Sequence, residues 1–146
     1  MTTVREIMTG SPEVVDETET ISRIAEILAE KDIGGVIVWN DDHRLQGMVT
    51  DRDITTQVVA ARKDPDSTTA RDILDGSEMV TVGADDSLDV AVATMKRHAV
   101  RRLPVLDGTD LVGIVSQADL AIHAGGDSVG EMVEKISEAP DNTGQG

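Results

Sequence analysis

The chain says the same thing twice. Val4-Arg5-Glu6-Ile7-Met8 matches Ala70-Arg71-Asp72-Ile73-Leu74 at an offset of 66 residues, and Thr20-Ile21-Ser22 matches Ser87-Leu88-Asp89 at 67. Val36-Ile37-Val38 matches Leu103-Pro104-Val105 at 67, and the segment Gly47–Asp53 matches Gly113–Asp119 at 66. A repeat of this kind constrains the fold more than any single motif, because one structural solution must serve both copies. The offset slips by one residue in the polar turn between Val38 and Gly47, where a length change costs least. Two half-sized repeats of about 60 residues organise the molecule.

Within each repeat the apolar period alternates. The β-branched runs Val14-Val15 and Val80-Thr81-Val82 predict strands. Ile21, Ile24, Ala25 and Leu28 fall at helical spacing, as do Leu88, Ala91, Val92 and Met95, with Thr20 and Ser87 in front as N-caps. Gly34-Gly35 is expected to break the first of these helices. The runs 36–39 and 103–106 predict a second strand, followed by polar turns at Asp41-Asp42 and Asp107-Gly108. A third strand leads into Gly47–Val49 and Gly113–Val115, and a second helix spans about 50–61 and 116–123.

The fold class is therefore α+β, built as β-α-β-β-α twice. Repeat 1 covers 1–61 and repeat 2 covers 70–124; the polar stretch 62–69 with Pro65 reads as the linker. Ser128-x-x-Glu131 is a capping box, and Val129, Met132, Val133 and Ile136 form a stripe behind it, which predicts a short C-terminal helix over 125–137. The remainder, 138–146, reads as a disordered tail.

Composition narrows the function. Apolar residues at 39% together with 13 glycines suit an ordinary globular chain of 146 residues. Thirteen basic against 28 acidic residues give a net charge of −15, which repels nucleic acid and anionic membranes. The absence of cysteine removes disulfides, thiolate metal sites and cysteine nucleophiles. No apolar run stands behind Arg5, so no signal peptide is read, and Val36–Trp39 is far too short to span a bilayer. A cytoplasmic protein is expected. Trp39 is the only aromatic residue, so base stacking has almost nothing to use.

The doubled unit, the Arg-Glu-Ile-Met opening, the Arg101-Arg102-Leu103-Pro104-Val105 run and the two glycine-led segments ending in Ser/Thr-x-x-Asp together resemble a CBS-domain pair, also called a Bateman module. The resemblance covers residues 4–124 and is greatest to the small stand-alone members. It implies two repeats packed as a pseudo-twofold pair with two clefts. It further implies a homodimer, an adenosyl ligand such as AMP, ADP or ATP held in the clefts, and a separate effector protein that reads the ligand state.

The residues themselves allow two readings of Thr50-x-x-Asp53 and Ser116-x-x-Asp119. In one, hydroxyl and carboxylate close a capping box. In the other, the same helix start offers free N–H groups to a phosphate and a carboxylate to a ribose. Gly47 and Gly113 would let backbone approach a ligand closely. The ribose- and phosphate-binding candidates are Thr50, Arg52, Asp53, Ser116, Gln117, Asp119, Arg101 and Arg102. The last two belong to a cluster with Lys96 and Arg97, and the resemblance implies phosphate contacts for them. An adenine slot lined by Val14, Val15, Met48, Val49, Val80, Val82, Ile114 and Val115 is the companion expectation, with core packing as its alternative. Gly34-Gly35 stands where the second repeat has its arginine pair, so the two clefts are not equivalent.

Catalysis finds no footing. His43, His98 and His123 are isolated, and neither a P-loop nor a zinc-protease motif occurs. Asp41-Asp42-His43 reads as a polar hairpin turn rather than a metal site. The expectation is a non-catalytic regulatory module that binds an adenosyl ligand and needs no metal or cofactor. The alternative is a ligand-free structural dimer in which both motifs only cap helices.

Overall fold

Each repeat carries its chain from one strand to a parallel neighbour through a helix, and a hairpin then adds a third strand. The computed structural model describes residues 1–76 and 79–123, so the helix and tail expected over 125–146 lie outside the described residues. In the first repeat β2 (Val14–Asp16) pairs parallel with β3 (Gly35–Trp39) across α2 (Ile21–Lys31), and β3 pairs antiparallel with β4 (Leu45–Thr50). The second repeat builds the same pattern from β5 (Val82–Gly83), α5 (Leu88–His98), β6 (Arg102–Asp107) and β7 (Asp110–Ser116). Single-turn helices α1 (Val4–Ile7) and α4 (Ala70–Ile73) lead the repeats, and β1 (Thr9–Gly10) follows α1. The repeats end in α3 (Asp51–Asp53), continued by a π-helical segment Ile54–Val59, and in α6 (Gln117–His123). The α+β architecture of tandem β-α-β-β-α repeats is the one expected.

Local differences have local causes. The second repeat's first strand begins at Val82, because only Val82 and Gly83 reach partners on β6, Val105 and Leu106; Val80 and Thr81 stay outside it. Ala25 is exposed and Ile27 takes its place in the buried face of α2, whereas all four residues of the α5 stripe are buried. The glycine pair does not end α2. Asp32 does, in the left-handed conformation with its N–H on the Leu28 carbonyl, and Ala99 ends α5 the same way on Met95. Gly35 instead opens β3. The linker is folded onto α2: the N–H groups of Ile21 and Ser22 donate to the carbonyls of Thr68 (2.9 Å) and Pro65 (3.0 Å). Thr20 Oγ1 accepts from the Arg23 N–H, so three donors that a helix start leaves unpaired are satisfied.

The packing units cut across the repeats. Among the described residues one comprises Met1–Pro12 with Val80–His123, the other Glu13–Met79. Each repeat's leading segment thus joins the core of the other repeat's sheet. Val4 is wholly buried among Leu88, Met95, Leu103, Val115 and Leu120, with Ile7 and Met8 against the same cluster. Ala70 and Ile73 are buried with Ile21, Ile24, Val36 and Val49, and Leu74 packs beside them. The two leaders are built alike. Thr3 N–H donates to Glu6 Oε2 at 2.5 Å and Thr69 N–H to Asp72 Oδ2 at 2.8 Å, so a capping box starts each turn. β1 then adds a fourth strand to its sheet, giving the order β1-β7-β6-β5, while the other sheet keeps the order β2-β3-β4.

Candidate ligand-binding site

The two glycine-led segments end their hairpins and turn directly into helices. Thr50 and Ser116 are the last residues of β4 and β7, so the hydroxyl, the first helical N–H groups and the carboxylate are brought together by adjacent backbone. Both boxes form. Asp53 N–H donates to Thr50 Oγ1 at 3.2 Å and Thr50 N–H to Asp53 Oδ2 at 3.0 Å. Asp119 N–H donates to Ser116 Oγ at 3.1 Å and Ser116 N–H to Asp119 Oδ2 at 2.8 Å. The strand beside each box is tied to its helix: Asp51 N–H donates to Gly34 O (3.1 Å) and Gln117 N–H to Arg101 O (2.7 Å). Cross-strand register sets Gly35 opposite Thr50 and Arg102 opposite Ser116.

Their surroundings differ. Thr50 is 0% exposed and Asp53 8%, whereas Ser116, Gln117, Asp119, Arg101 and Arg102 are all half-buried. Gln57, one helical turn on from Asp53, donates to its second oxygen Oδ1 at 3.3 Å. Arg52 is exposed beside this box. Thr55 and Thr56 hydroxyls bond back to the Asp51 and Arg52 carbonyls, the kind of side-chain competition that bends a helix, here along the π-helical segment.

The residues expected at an adenine slot fall in different places. Val15 and Val49 lie in the core of one unit, and Val82 and Val115 in the core of the other. Val80 packs against the second of these cores. Strand alternation puts Val14, Ile37 and Met48, which stand in register, on the sheet face opposite Val15, Val36 and Val49, and puts Ile114 opposite Val115. The close approach at both glycines is made by the chain itself. A Cβ on Gly113 would meet Met8 Sδ at 2.5 Å and Thr9 O at 2.8 Å; one on Gly47 would meet Leu74 Cδ2 at 2.9 Å. At both positions the missing Cβ makes room for the leader.

Three groups were not singled out in sequence: Gln57 on Asp53, Met8 and Leu74 on the glycines, and the leader arginines. Arg5 bridges Asp85 (3.4 Å) and Asp107 (3.0 Å), and Arg71 holds Glu17 at 2.6 Å. The signals were present. Gln57 stands four residues after Asp53, Thr3-x-x-Glu6 and Thr69-x-x-Asp72 have box spacing, and both arginines sit in the matched leaders.

A pair of glycine-led boxes on duplicated β-α-β-β-α units defines a tandem-repeat module, and the sequence matches the CBS domain over 4–60 and 69–126. The chain belongs to the CBS-domain family. It is 40% identical to Hypoxic response protein 1 of Mycobacterium tuberculosis over 136 residues, 93% of this chain and 94% of that one. A crystal structure of Hypoxic Response Protein I with two coordinated zinc ions is similar at a TM-score of 0.73, with 85% of this chain and 100% of that chain covered. The CBS domain protein PAE2072 of Pyrobaculum aerophilum, complexed with AMP, is 28% identical at a TM-score of 0.72, covering 94% and 100% of the two chains. CBS domains are generally regulatory modules without catalysis. A thiolate-bound zinc does not fit this chain, which has no cysteine, and among the described residues no three His, Asp or Glu side chains converge on one point. No helix among the described residues is long and apolar enough to cross a membrane.

Proposed function

We propose that the protein is a regulatory module that binds an adenine nucleotide, with AMP the first candidate, and passes its ligand state to a separate effector protein. The observation that carries this reading is the Ser116–Asp119 box. Its hydroxyl and carboxylate are half-buried, and the half-buried Arg101 and Arg102 lead the adjacent strand in a chain of net charge −15. A phosphate needs such a local cation in so acidic a molecule, and a ribose diol needs a carboxylate acceptor. The AMP complex of the Pyrobaculum relative supports the ligand class. A homodimer and a cytoplasmic location belong to the same reading.

Signalling then requires that the nucleotide bind two arrangements of the module with different affinity. Calorimetric titration of nucleotide-stripped protein with AMP, then with ATP and S-adenosylmethionine, tests the binding step. Saturable heat with micromolar affinity is expected. No heat with any of the three would leave the family's structural-dimer alternative, with the boxes acting as helix caps alone.

A further inference from the structure

We propose that Pro104 turns one of the two passages of the chain between its packing units into a hinge: it withholds the backbone donor that would fasten Val80, so the chain bends at Val80–Thr81. The other passage, at Pro12–Glu13, stays fastened. The hinge is independent of whether a nucleotide binds.

Among the described residues the chain leaves one unit for the other between Pro12 and Glu13, and again between Met79 and Val80. The two passages are equivalent by register. Val15 stands beside Val38 and Val82 beside Val105, so Ile37 corresponds to Pro104 and Glu13 to Val80. In the first repeat Ile37 N–H donates to Glu13 O at 2.9 Å, and at the far end of the same pair of strands Glu17 N–H donates to Trp39 O at 2.9 Å. The second repeat keeps the far end, where Ala84 N–H donates to Leu106 O at 2.8 Å. It cannot make the near end, because proline has no N–H. The β6–β7 register runs from Leu103 through Pro104 to Val105 without a break, so the missing donor is felt on the β5 side. β5 accordingly starts at Val82, one position later than β2 does at Val14.

Neighbouring side chains widen the difference. Pro12 fixes φ just before Glu13, and Lys31 Nζ holds Glu13 Oε2 at 3.3 Å. At the second passage Met79 and Val80 stand in those places. The half-buried side chain of Val80 rests on the core, while β6 offers its carbonyl no donor. A hinge needs no more than a few residues at the end of an element that are free to absorb a backbone rotation, and Val80–Thr81 meet that description.

Exchanging the two residues tests this on the full chain. Pro104→Ile gives the second repeat the residue of the first and supplies an N–H to Val80 O; Ile37→Pro takes the fastening from Glu13. Limited digestion with thermolysin, which cuts before aliphatic residues, is followed by fragment mass. Pro104→Ile is expected to slow cutting before Val80 and Val82 by about two- to ten-fold, the worth of one backbone hydrogen bond when cleavage follows the open population. Ile37→Pro is expected to speed cutting before Val14 and Val15 over the unaltered protein. Amide exchange followed by NMR checks the bond itself through the new N–H at position 104, where slow exchange is expected. Cutting of Pro104→Ile at the unaltered rate, or exchange at position 104 as fast as in a free peptide, overturns the hinge. So does an Ile37→Pro protein that resists cutting as well as the unaltered one. Should Pro104→Ile or Ile37→Pro fail to fold, Pro104→Ala supplies the same N–H in less volume, and its cutting rate and amide exchange decide in the same way.

Discussion

Both leaders carry a capping box, an arginine and an apolar residue laid over a glycine, yet among the described residues only the first goes on to add a strand. After α1 the chain runs antiparallel to β7, with Thr9 opposite Ile114 and Gly10 opposite Gly113. After α4, Leu74 covers Gly47 but β4 gains no such partner among the described residues. The two glycines therefore meet different demands. At Gly113 the neighbour is partly backbone, the Thr9 carbonyl oxygen, which cannot turn aside. At Gly47 it is the end of one leucine side chain, and the additional demand is a φ of +153°. Duplication preserved the residue type while the contact that needs it changed, so an equivalent position in sequence is not an equivalent position in energy.

Gly113→Ala strikes at that difference and carries the largest expected effect. The added Cβ overlaps Met8 Sδ and Thr9 O, so β1 must lift from β7 or the strand must distort, at about 1–3 kcal/mol. Gly10→Ala on the facing strand is the control, since nothing lies within 4 Å of its Cβ position. Urea denaturation midpoints followed by circular dichroism separate the two. Similar midpoints for both variants would mean that the β1 contact contributes nothing to holding the first unit together. Met8→Ala in the Gly113→Ala background recovers only part of the loss, because the Thr9 carbonyl stays in place.

These contacts mark the limit of what the residues disclose in order. The alternating periods carried the strands, the helices and the repeat, because side-chain burial on one face is a local property of each element. The four Ser/Thr-led boxes were likewise open to reading, since their spacing is fixed by one helical turn. What escaped was pairing between distant segments. Nothing in Val4–Met8 by itself says that it packs on the other repeat's sheet, because either sheet offers the same kind of apolar face and glycine. Gly35 stands opposite Thr50 with the end of Met48 beside it, a meeting produced by strand register and not by any motif. Strand geometry adds a related limit: adjacent residues face opposite sides, so Val14 and Val15 do not share one surface.

Acid sharpens the comparison from a second direction. Hydrogen bonds from Thr69 hold the Asp72 carboxyl below its ordinary value of 3.8, and those from Thr18 do the same for Asp16; both groups lie in the unit formed by Glu13–Met79. A carboxyl whose folded value lies below its unfolded one contributes stability above the unfolded value, and that contribution is lost as pH falls through the folded value. Trp39, the sole aromatic residue, sits in the same unit, stacked on His43 at 4.3 Å, and reports on that unit alone. Below pH of about 4, Asp72→Asn is expected to show a flatter loss of stability than the unaltered chain, while at neutral pH it is the less stable of the two. Identical acid transitions of Trp39 fluorescence in both proteins would remove Asp72 from the account.

The leader arginines set the smallest difference. Arg71 is held by Glu17 at 2.6 Å, with Asp16 and Asp41 adding attraction, and its pKa is raised, first by the Glu17 hydrogen bond. Arg5 is raised chiefly by its hydrogen bond to Asp107, with Asp85 the second carboxylate. Arg5 thus ties its leader to the loop before α5 and to the β6–β7 hairpin tip, and Arg71 ties its leader to the loop before α2, in a chain whose excess charge is negative. Removing one leaves two or three carboxylates facing each other without their cation, and the repulsion adds to the lost bond. Glu17 is the most sheltered of these partners at 19% side-chain exposure, against 82% and 54% for Asp85 and Asp107, so solvent screens the Arg71 pair least. Arg71→Gln is therefore expected to lower the melting midpoint slightly more than Arg5→Gln, and both differences shrink when salt is raised to about 0.5 M. Because the arginines serve separate units with no shared partner, the double variant should show the sum of the two losses. A larger loss at Arg5, or a loss that salt leaves untouched, would mean that the stem of the side chain rather than its charge holds the leader down.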